Sequence, residues 1–427
     1  MGPTRMIATS GIQERLTREG SSEEAVNLLY ICDFPPSNFA GGPILMSRLL
    51  RNYPPDRIVV LTSSRYLRAS PKEGRLTCDH IAFPTTIGWG HWGLGRMKNL
   101  IDWLMIPVLA LVAGHLIKTR RIKAIVTIAH DRFFIAAALA GWIARTPYIV
   151  VMHDDTVTPA ERGSWFLKYV LRSWARRALH GASHIYAISR EMQQLLKSEY
   201  GVDSELQWPG TEPSAKRDRR SDSVLTELSL TRTHSAVILF AGAIGYSVED
   251  SLRMLAGILI TGKLQAYGIQ SAELHLYTQL NPERIHDWGW DHRCITVHPW
   301  VSQQELQGVL QKADILFLPY SFSEASRYAV ESAFPSKTAD YLAAGRPILV
   351  FGPQYSSLVR YAKEQGFAEV VDNFDEDVLA RGIQRLLSDS VHRNQLCKRS
   401  LAVFEQNHNI VCQREELRSL LSRITAV

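Results

Sequence analysis

The stretch FPSKTADYLAAGRPILVFGP, residues 334–353, contains a helix start, a helix stop and a buried strand. Pro335 suits the first turn of a helix, because its missing N–H has no partner there in any case. Gly345 followed by Pro347 is a strong stop signal. The pattern predicts a helix over residues 335–344, followed by a buried strand in PILVF.

Three polar residues fall near the start of this predicted helix: Ser336, Lys337 and Asp340. A helix N-terminus carries unsatisfied N–H groups and partial positive charge, which Lys337 reinforces, so a phosphate can be held there. Asp340 lies one turn further on and can accept hydrogen bonds from sugar hydroxyls. On geometry alone, an ordinary capped helix with a surface lysine and aspartate is the alternative.

The size and charge of the chain limit the possible functions. With 427 residues it is too long for one ordinary core, and two or three domains are expected. The net charge of +6 and the pI of about 9.0 permit an anionic ligand or an anionic membrane surface. No basic run interleaved with aromatic residues and no nucleic-acid-binding motif indicates DNA or RNA as a partner. The five cysteines lack disulfide or metal-ligand spacing, which fits a reducing cytoplasm.

The N-terminal half alternates strands, glycine loops and helices. The strand predicted over residues 26–32 precedes a loop with Gly41 and Gly42, which would let the backbone approach a ligand at the sheet edge. A plain tight turn is the alternative. The run HDD, which starts at His153, follows the strand PYIVVM, where α/β proteins place ligand-binding groups. A purely structural histidine is equally compatible, and no metal site is predicted because no further ligands have metal spacing.

Two segments of this half combine apolar or aromatic residues with positive charge. Residues 100–117 are largely apolar, with the basic TRR close behind. A buried helix is the favoured interpretation because a strand follows at once, and a helix that dips into a membrane surface is the alternative. The predicted helix over residues 165–179 carries four basic residues beside two tryptophans, and it suits either an anionic lipid surface or solvent.

A polar stretch around TEPSAKRDRRSDS divides the chain, and the second half repeats the pattern of the first. The strand predicted over residues 236–241 leads into a loop with Gly242 and Gly245. Two successive βαβ series predict an α/β protein with two doubly wound, Rossmann-like domains that face a central cleft. The predicted organisation is a disordered tail without a signal peptide over 1–25, an N-terminal domain over 26–210, a linker over 211–223, a C-terminal domain over 224–400 and a final segment over 401–427.

The order strand, glycine loop, HDD, AIS, polar linker, AGAIG, FLPY and PSKTADYLAAGRPIL resembles the retaining GT-B glycosyltransferases of the family 4 or group 1 type. The likeness runs from about Val26 to the C-terminus. It implies that the C-terminal domain binds a nucleotide-sugar donor, that the N-terminal domain binds the acceptor, and that the last helix crosses back to the N-terminal domain. In that family a glutamate holds the donor ribose. Asp340 occupies its place and can accept the same hydroxyl hydrogen bonds.

The resemblance also assigns residues near the donor sugar. A second family glutamate corresponds in position to Ser332, and the adjacent Glu331 is the candidate for its role. His153 resembles a family histidine that lies near the donor sugar at the domain interface. Gly41 and Gly42 resemble the glycine loop near the diphosphate and the acceptor.

The diphosphate contacts implied by the resemblance differ from the family pattern. Many members carry an arginine and a lysine after the first strand of the C-terminal domain, and both are missing from AGAIGYSVED, the segment with Gly242 and Gly245. Lys337 and Arg327, together with Ser336 and the helix N-terminus, would then have to neutralise the diphosphate.

These observations predict a retaining hexosyltransferase that moves a hexosyl unit from a nucleoside diphosphate sugar to an acceptor hydroxyl, without a metal or another cofactor. The basic charge and the apolar and aromatic segments favour a lipid-linked or cell-envelope glycan acceptor at the cytoplasmic face of a membrane. Two alternatives stay open. One is a catalytically inactive GT-B-like protein that binds nucleotide sugars, motivated by Asp340, Ser332 and the missing Arg/Lys pair, and the other is a nucleotide-sugar epimerase.

Overall fold

The computed structural model describes residues 25–37, 41–72, 74–85, 104–154, 165–214, 235–290 and 292–426. The predicted tail up to residue 24, residues 100–103 of the apolar segment and residues 215–223 of the predicted linker lie outside these ranges. Within them the chain forms two parallel sheets, each with helices on both faces.

The N-terminal sheet has seven strands among the described residues, in the order β3-β2-β1-β4-β5-β6-β7. They are β1 Leu28–Ile31, β2 Ile58–Ser63, β3 Asp79–Phe83, β4 Ala124–Ile128, β5 Tyr148–Met152, β6 His184–Ala187 and β7 Glu205–Leu206. The helices are α1 Gly41–Leu50, α2 Ser64–Ala69, α3 Ile106–Thr119, α4 Asp131–Ala144, α5 Trp165–His180 and α6 Arg190–Leu195, which continues as a π-helix over Leu196–Tyr200.

Both faces of the central strands are apolar, which explains why they read as continuous hydrophobic runs. Leu29 and Ile31 point into one core, formed with α3, α4 and α5, while Leu28 and Tyr30 point into the core on the other face. The apolar segment predicted as a buried helix is α3, with Leu109 buried. In the described part of the chain, no helix has the length and apolar character needed to cross a bilayer.

The C-terminal sheet has six strands in its described residues, in the order β10-β9-β8-β11-β12-β13. They are β8 Ala236–Ala241, β9 Ala272–Tyr277, β10 Ile295–His298, β11 Ile315–Pro319, β12 Ile348–Phe351 and β13 Glu369–Val371. The helices are α7 Glu249–Ile260, α8 Pro282–Asp287, α9 Gln303–Leu310, α10 Arg327–Ser332, α11 Lys337–Ala344, α12 Ser357–Gln365, α13 Glu376–Ser388, α14 Ser390–Val403 and α15 Ile410–Thr425.

The two sheets share one topology, and this confirms the prediction of two doubly wound domains. In each sheet the first strand lies beside the fourth, so the connections turn to opposite sides at β1/β4 and at β8/β11. Such switch points open a crevice at the carboxyl ends of the strands, where α/β proteins bind ligands. Gly42 follows β1, and Gly242 follows β8 directly.

The deciding stretch forms α11 and β12, as predicted from the sequence, although the helix begins at Lys337 rather than at Pro335. Gly345 ends it with a left-handed φ of +63°, which fits a glycine stop. All residues from 338 to 344 are buried. The alternative of a surface aspartate is therefore wrong, since Asp340 is only 4% exposed.

The C-terminal end of the chain forms two helices, α14 and α15. A π-helix over Phe404–His408 follows α14, and Asn409 caps α15 by accepting from the Val411 N–H. Helix α15 packs on the N-terminal sheet through apolar side chains such as Leu417. The Arg414 guanidinium also donates to the main-chain carbonyl of Arg48, at 2.6 and 2.9 Å.

Candidate active site

The C-terminal switch point brings Lys337 against Gly242. Gly242 has a φ of +147°, and a Cβ added there would lie 2.6 Å from Nζ of Lys337. Only glycine leaves room for this side chain and adopts this backbone conformation without strain. The Nζ atom lies 3.8 Å from the centroid of the Phe240 ring, a distance typical of a cation–π contact. The structure thus joins two residues that the sequence assigned separately to the diphosphate site.

The amine of Lys337 has no hydrogen-bond or ion-pair partner among the described residues. Burial lowers its pKa to about 7, because the charged form loses solvation without gaining a counter-ion. The preceding Ser336 makes no side-chain capping hydrogen bond, so α11 begins without a hydroxyl acceptor on its N–H groups. An anion placed here would meet both the helix N-terminus and the amine.

Arg327 and Glu331, predicted to serve the diphosphate and the donor sugar, form an ion pair with each other. They lie one turn apart on α10, with 3.9 Å between Nε of Arg327 and Oε2 of Glu331. Arg327 also donates to Glu324 at 3.4 Å and lies over the ring of Tyr355 at 4.6 Å. Both side chains are about half exposed, so a ligand can compete for them at little cost.

Asp340 joins the two domains instead of standing free in the cleft. Its Oδ2 accepts from Nη2 of Arg48 at 2.9 Å, and its Oδ1 accepts from the side-chain amide of Gln303 at 3.1 Å. Arg48 in turn donates to the carbonyl of Gly210 at 3.1 Å. The side chains of the ion pair are 8% and 5% exposed, which makes it a buried pair between α1 and α11. The sequence indicated neither Arg48 nor Gln303, which lie far from Asp340 along the chain.

The N-terminal switch point brings His153 against Gly42. A Cβ on Gly42 would lie 2.8 Å from Nδ1 of His153, so the imidazole contacts Gly42, which lies in the first turn of α1 rather than in the predicted loop. His153 is 7% exposed, and among the described residues its Nδ1 has no hydrogen-bond partner. Burial, followed by the nearby His130, lowers its pKa to about 4. The imidazole is therefore neutral near pH 7 and can exchange a hydrogen bond with a hydroxyl group.

Sequence reasoning missed two further groups at this edge, Asp33 and His130. Asp33 follows β1 and accepts from, or shares a proton with, Nδ1 of His130 after β4, at 3.2 Å. Asp154, the second residue of the run HDD, lies at the same edge, and burial raises the pKa of its carboxyl group. Their position directly after strands at the switch point was the available signal.

The remaining predicted glycines have open surroundings. A Cβ on Gly41 or Gly245 would meet nothing within 4 Å. Neither glycine is thus required by a close approach within the protein, in contrast to Gly42 and Gly242. Their assignment to the donor site stays a prediction.

The two domains meet through contacts outside the cleft as well. Ser189 caps α6 and donates to the main-chain carbonyl of Ser332, while Arg190 pairs with Glu364 at 2.7 Å. Near the crossing point of the chain, the rings of Trp208, Phe334, Tyr361 and His408 pack together. These contacts hold the two switch points toward each other.

Two family models match the chain. One, described as a glycosyl transferase 4-like domain, matches residues 45–207. The other, described as glycosyl transferases group 1, matches residues 235–389, and the two together span most of the chain. The chain belongs to the group 1 glycosyltransferases. The predicted family and the prediction of a transferase enzyme are thereby confirmed.

Solved structures similar to this glycosyltransferase share its GT-B architecture. Sucrose-phosphate synthase from Thermosynechococcus elongatus is 14% identical, with a TM-score of 0.64 over 93% of this chain and 98% of that one. HepE from Anabaena, solved with UDP and glucose, is 14% identical, with a TM-score of 0.61 over 93% and 99%. An α,α-trehalose 6-phosphate synthase from Burkholderia multivorans is 11% identical, with a TM-score of 0.62 over 94% and 97%. At these identities the similarity shows the fold alone, and no curated protein matches in sequence.

Proposed function

We propose that this glycosyltransferase moves a hexosyl unit from a nucleoside diphosphate sugar to an acceptor hydroxyl, with retention of anomeric configuration. The observation that carries the donor assignment is the amine of Lys337, which lies without a counter-ion among the described residues at the N-terminus of α11 and at the C-terminal switch point. The HepE structure with UDP and glucose supports a nucleotide-sugar donor, because the two proteins share a fold.

Lys337 would stabilise the leaving diphosphate. As the glycosidic bond breaks, negative charge grows on the phosphate oxygens, and donors already aimed at that position cost no reorganisation. A nearby anion raises the pKa of the buried amine, so binding of the donor keeps it protonated. Arg327 can add a second positive charge if it exchanges Glu331 for the ligand. This arrangement assigns the leaving-group charge to the protein, and the proposal invokes no metal.

The N-terminal switch point would hold the sugar and the acceptor. The neutral imidazole of His153 can orient a sugar hydroxyl without attracting a second anion. Closure of the two domains would exclude water, which would otherwise hydrolyse the donor. The carboxylate of Asp340 has acceptor capacity beyond its bonds to Arg48 and Gln303, so the proposal keeps its contact with the donor ribose.

The acceptor we propose is a lipid-linked or cell-envelope glycan, glycosylated at the cytoplasmic face of a membrane. The mild basic charge of the chain, +6 overall, supports contact with an anionic surface. The basic and aromatic sequence of α5 supports it in the same way.

A thermal-shift screen of nucleotide sugars tests the donor assignment, because a ligand that binds only the folded state raises its apparent stability. We expect one nucleoside diphosphate hexose to raise the Tm, and the purified protein to transfer or slowly hydrolyse it. NMR of the product should show the anomeric configuration of the donor. Absence of turnover with the whole panel contradicts the proposal. Donor binding without turnover that His153→Ala leaves unaffected indicates an inactive binding protein, and an epimerised donor without acceptor indicates an epimerase.

A further inference from the structure

The outer surface of the N-terminal domain carries an exposed apolar stripe. Leu104, Val108 and Leu111 follow one another at helical spacing in and just before α3, and they are 66%, 43% and 65% exposed. Trp142 and Ile143, at the end of the neighbouring helix α4, are 39% and 66% exposed. Among the described residues of this domain, these five are the large apolar side chains that are exposed. We call them the α3–α4 face.

Positive charge is concentrated in the same layer of helices. Helices α3, α4 and α5 pack side by side on one face of the sheet and together contain six basic residues and one acidic residue. Exposed basic side chains in and next to this layer include Lys118, Arg145, Arg176 and Arg177. Since the whole chain has a net charge of only +6, this layer holds a large part of the excess.

An anionic bilayer is the surface that uses both features. Apolar side chains on a helix gain free energy when they enter the boundary between headgroups and acyl chains, and basic side chains are attracted to anionic headgroups. Charge alone would suit a polyanion, and an apolar patch alone would suit a second copy of the chain. We propose that the α3–α4 face docks on an anionic membrane surface.

The α3–α4 face extends along the length of these helices, from the cleft edge of the sheet to its opposite edge. A crossover helix runs antiparallel to its strands, so the beginning of α3 lies at the carboxyl edge of the sheet, the edge that carries Gly42 and His153. Leu104 therefore marks the end of the face nearest the cleft, and Trp142 and Ile143, in the last turn of α4, mark the end farthest from it. The consequence, that the acceptor is an amphiphile held in the same membrane, rests on the proposed function, whereas the docking does not.

Flotation with phosphatidylcholine vesicles, with and without phosphatidylglycerol, tests the docking. We expect binding to the anionic vesicles at low salt and weaker binding at high salt. Leu111→Glu and Ile143→Glu should each weaken vesicle binding about tenfold or more, because each removes an inserted apolar side chain and adds a negative charge. Val391→Glu is the matched control, because Val391 is 66% exposed on α14 in the other domain. This variant should bind vesicles like the wild type.

A second pair of variants tests the charge. Arg176→Gln with Arg177→Gln should weaken binding to anionic vesicles roughly tenfold or more and reduce its salt dependence. Arg381 and Lys398 are exposed in the C-terminal domain, and the double variant Arg381→Gln with Lys398→Gln should bind anionic vesicles like the wild type. No binding at low salt, equal binding to neutral vesicles, or equal loss in the control variants would overturn the docking. A dimer abolished by Leu111→Glu would do so too. Donor binding in the thermal-shift screen is independent of these results, so failure of the docking leaves the proposed donor chemistry standing.

Discussion

The two switch points are built alike and differ in charge. At the N-terminal one, Nδ1 of His153 lies 2.8 Å from the Cβ position of Gly42, and at the C-terminal one, Nζ of Lys337 lies 2.6 Å from that of Gly242. Burial lowers the pKa of His153 to about 4 and that of Lys337 to about 7. Near neutral pH the imidazole is therefore uncharged, whereas the amine takes up a proton as soon as an anion approaches. One edge suits hydroxyl groups and the other suits a diphosphate.

The largest expected effect comes from cutting the link between the two regions. Asp340→Ala leaves the buried guanidinium of Arg48 without its carboxylate, and we expect the free energy of unfolding to fall by about 3 to 5 kcal/mol. Urea denaturation measures this loss. The matched control is Arg190→Ala, which breaks an exposed pair with Glu364 between the same domains and should cost less than about 1 kcal/mol. An equal loss in the free energy of unfolding for the two variants would show that burial does not make the Asp340 pair more important for stability than the exposed pair.

The next largest effect concerns the charge difference itself. Lys337→Met keeps the length of the side chain and removes its charge, and we expect donor affinity to fall roughly 10- to 150-fold, the range for a hydrogen bond to a charged group. His153→Ala should instead lower kcat with little change in nucleotide affinity. Calorimetry with the donor identified in the screen measures the affinity of both variants, and a transfer assay measures kcat. Lys398→Met, an exposed lysine in the same domain, is the control. Unchanged affinity in Lys337→Met contradicts the diphosphate assignment.

The two glycines provide a smaller and sharper comparison. Gly242→Ala introduces both a close contact with Lys337 and a side chain at positive φ, so we expect a loss of about 1 to 3 kcal/mol in stability. Gly42→Ala meets the His153 ring at 2.8 Å and Ile128 at 3.7 Å, without a positive φ, and should cost less. Gly245→Ala and Gly41→Ala, with nothing within 4 Å, are the matched controls. Thermal denaturation and kcat/KM measure these effects. If the control variants lose as much stability as Gly42→Ala and Gly242→Ala, the close contacts are not the reason why glycine is required at these two positions.

The smallest effect is a pH dependence confined to one region. A lysine whose pKa is lowered in the folded state destabilises the ligand-free protein while the amine is charged. The free energy of unfolding should therefore rise as the pH increases from about 7, the pKa in the folded state, to the pKa of the same lysine in the unfolded chain. Donor affinity should change in the opposite direction and weaken above pH 7, by at most about tenfold per pH unit. Lys337→Arg stays protonated and should remove this slope. His153 does not titrate in this window. A slope that Lys337→Arg retains belongs to another group.

Local patterns predicted the elements of the site with good accuracy. Strand β8 has the predicted bounds, and α11 begins two residues later than predicted because Ser336 takes the N-cap position. The ion pair of Arg327 with Glu331 follows from their spacing of four residues on a helix, a signal that the sequence contains.

The contacts of the site could not be predicted in the same way. Arg48 and Asp340 are 292 positions apart, and only the docking of α1 on α11 brings them together. The same holds for the contact of Gly42 with His153. The low pKa of His153 and the requirement for glycine at position 42 depend on neighbours from distant parts of the chain.

The sequence by itself determined the alternation of strands and helices, the glycine loops, the helix stop at Gly345 and the family, because each depends on neighbouring residues or on short motifs. The tertiary structure decided which side chain meets which. It made Asp340, predicted to accept hydrogen bonds from the donor ribose, a buried partner of Arg48, and it left the amine of Lys337 without a counter-ion among the described residues. The physical reason is that charge, burial and close approach are properties of surroundings, and the topology of two facing sheets assembles those surroundings from segments far apart in sequence.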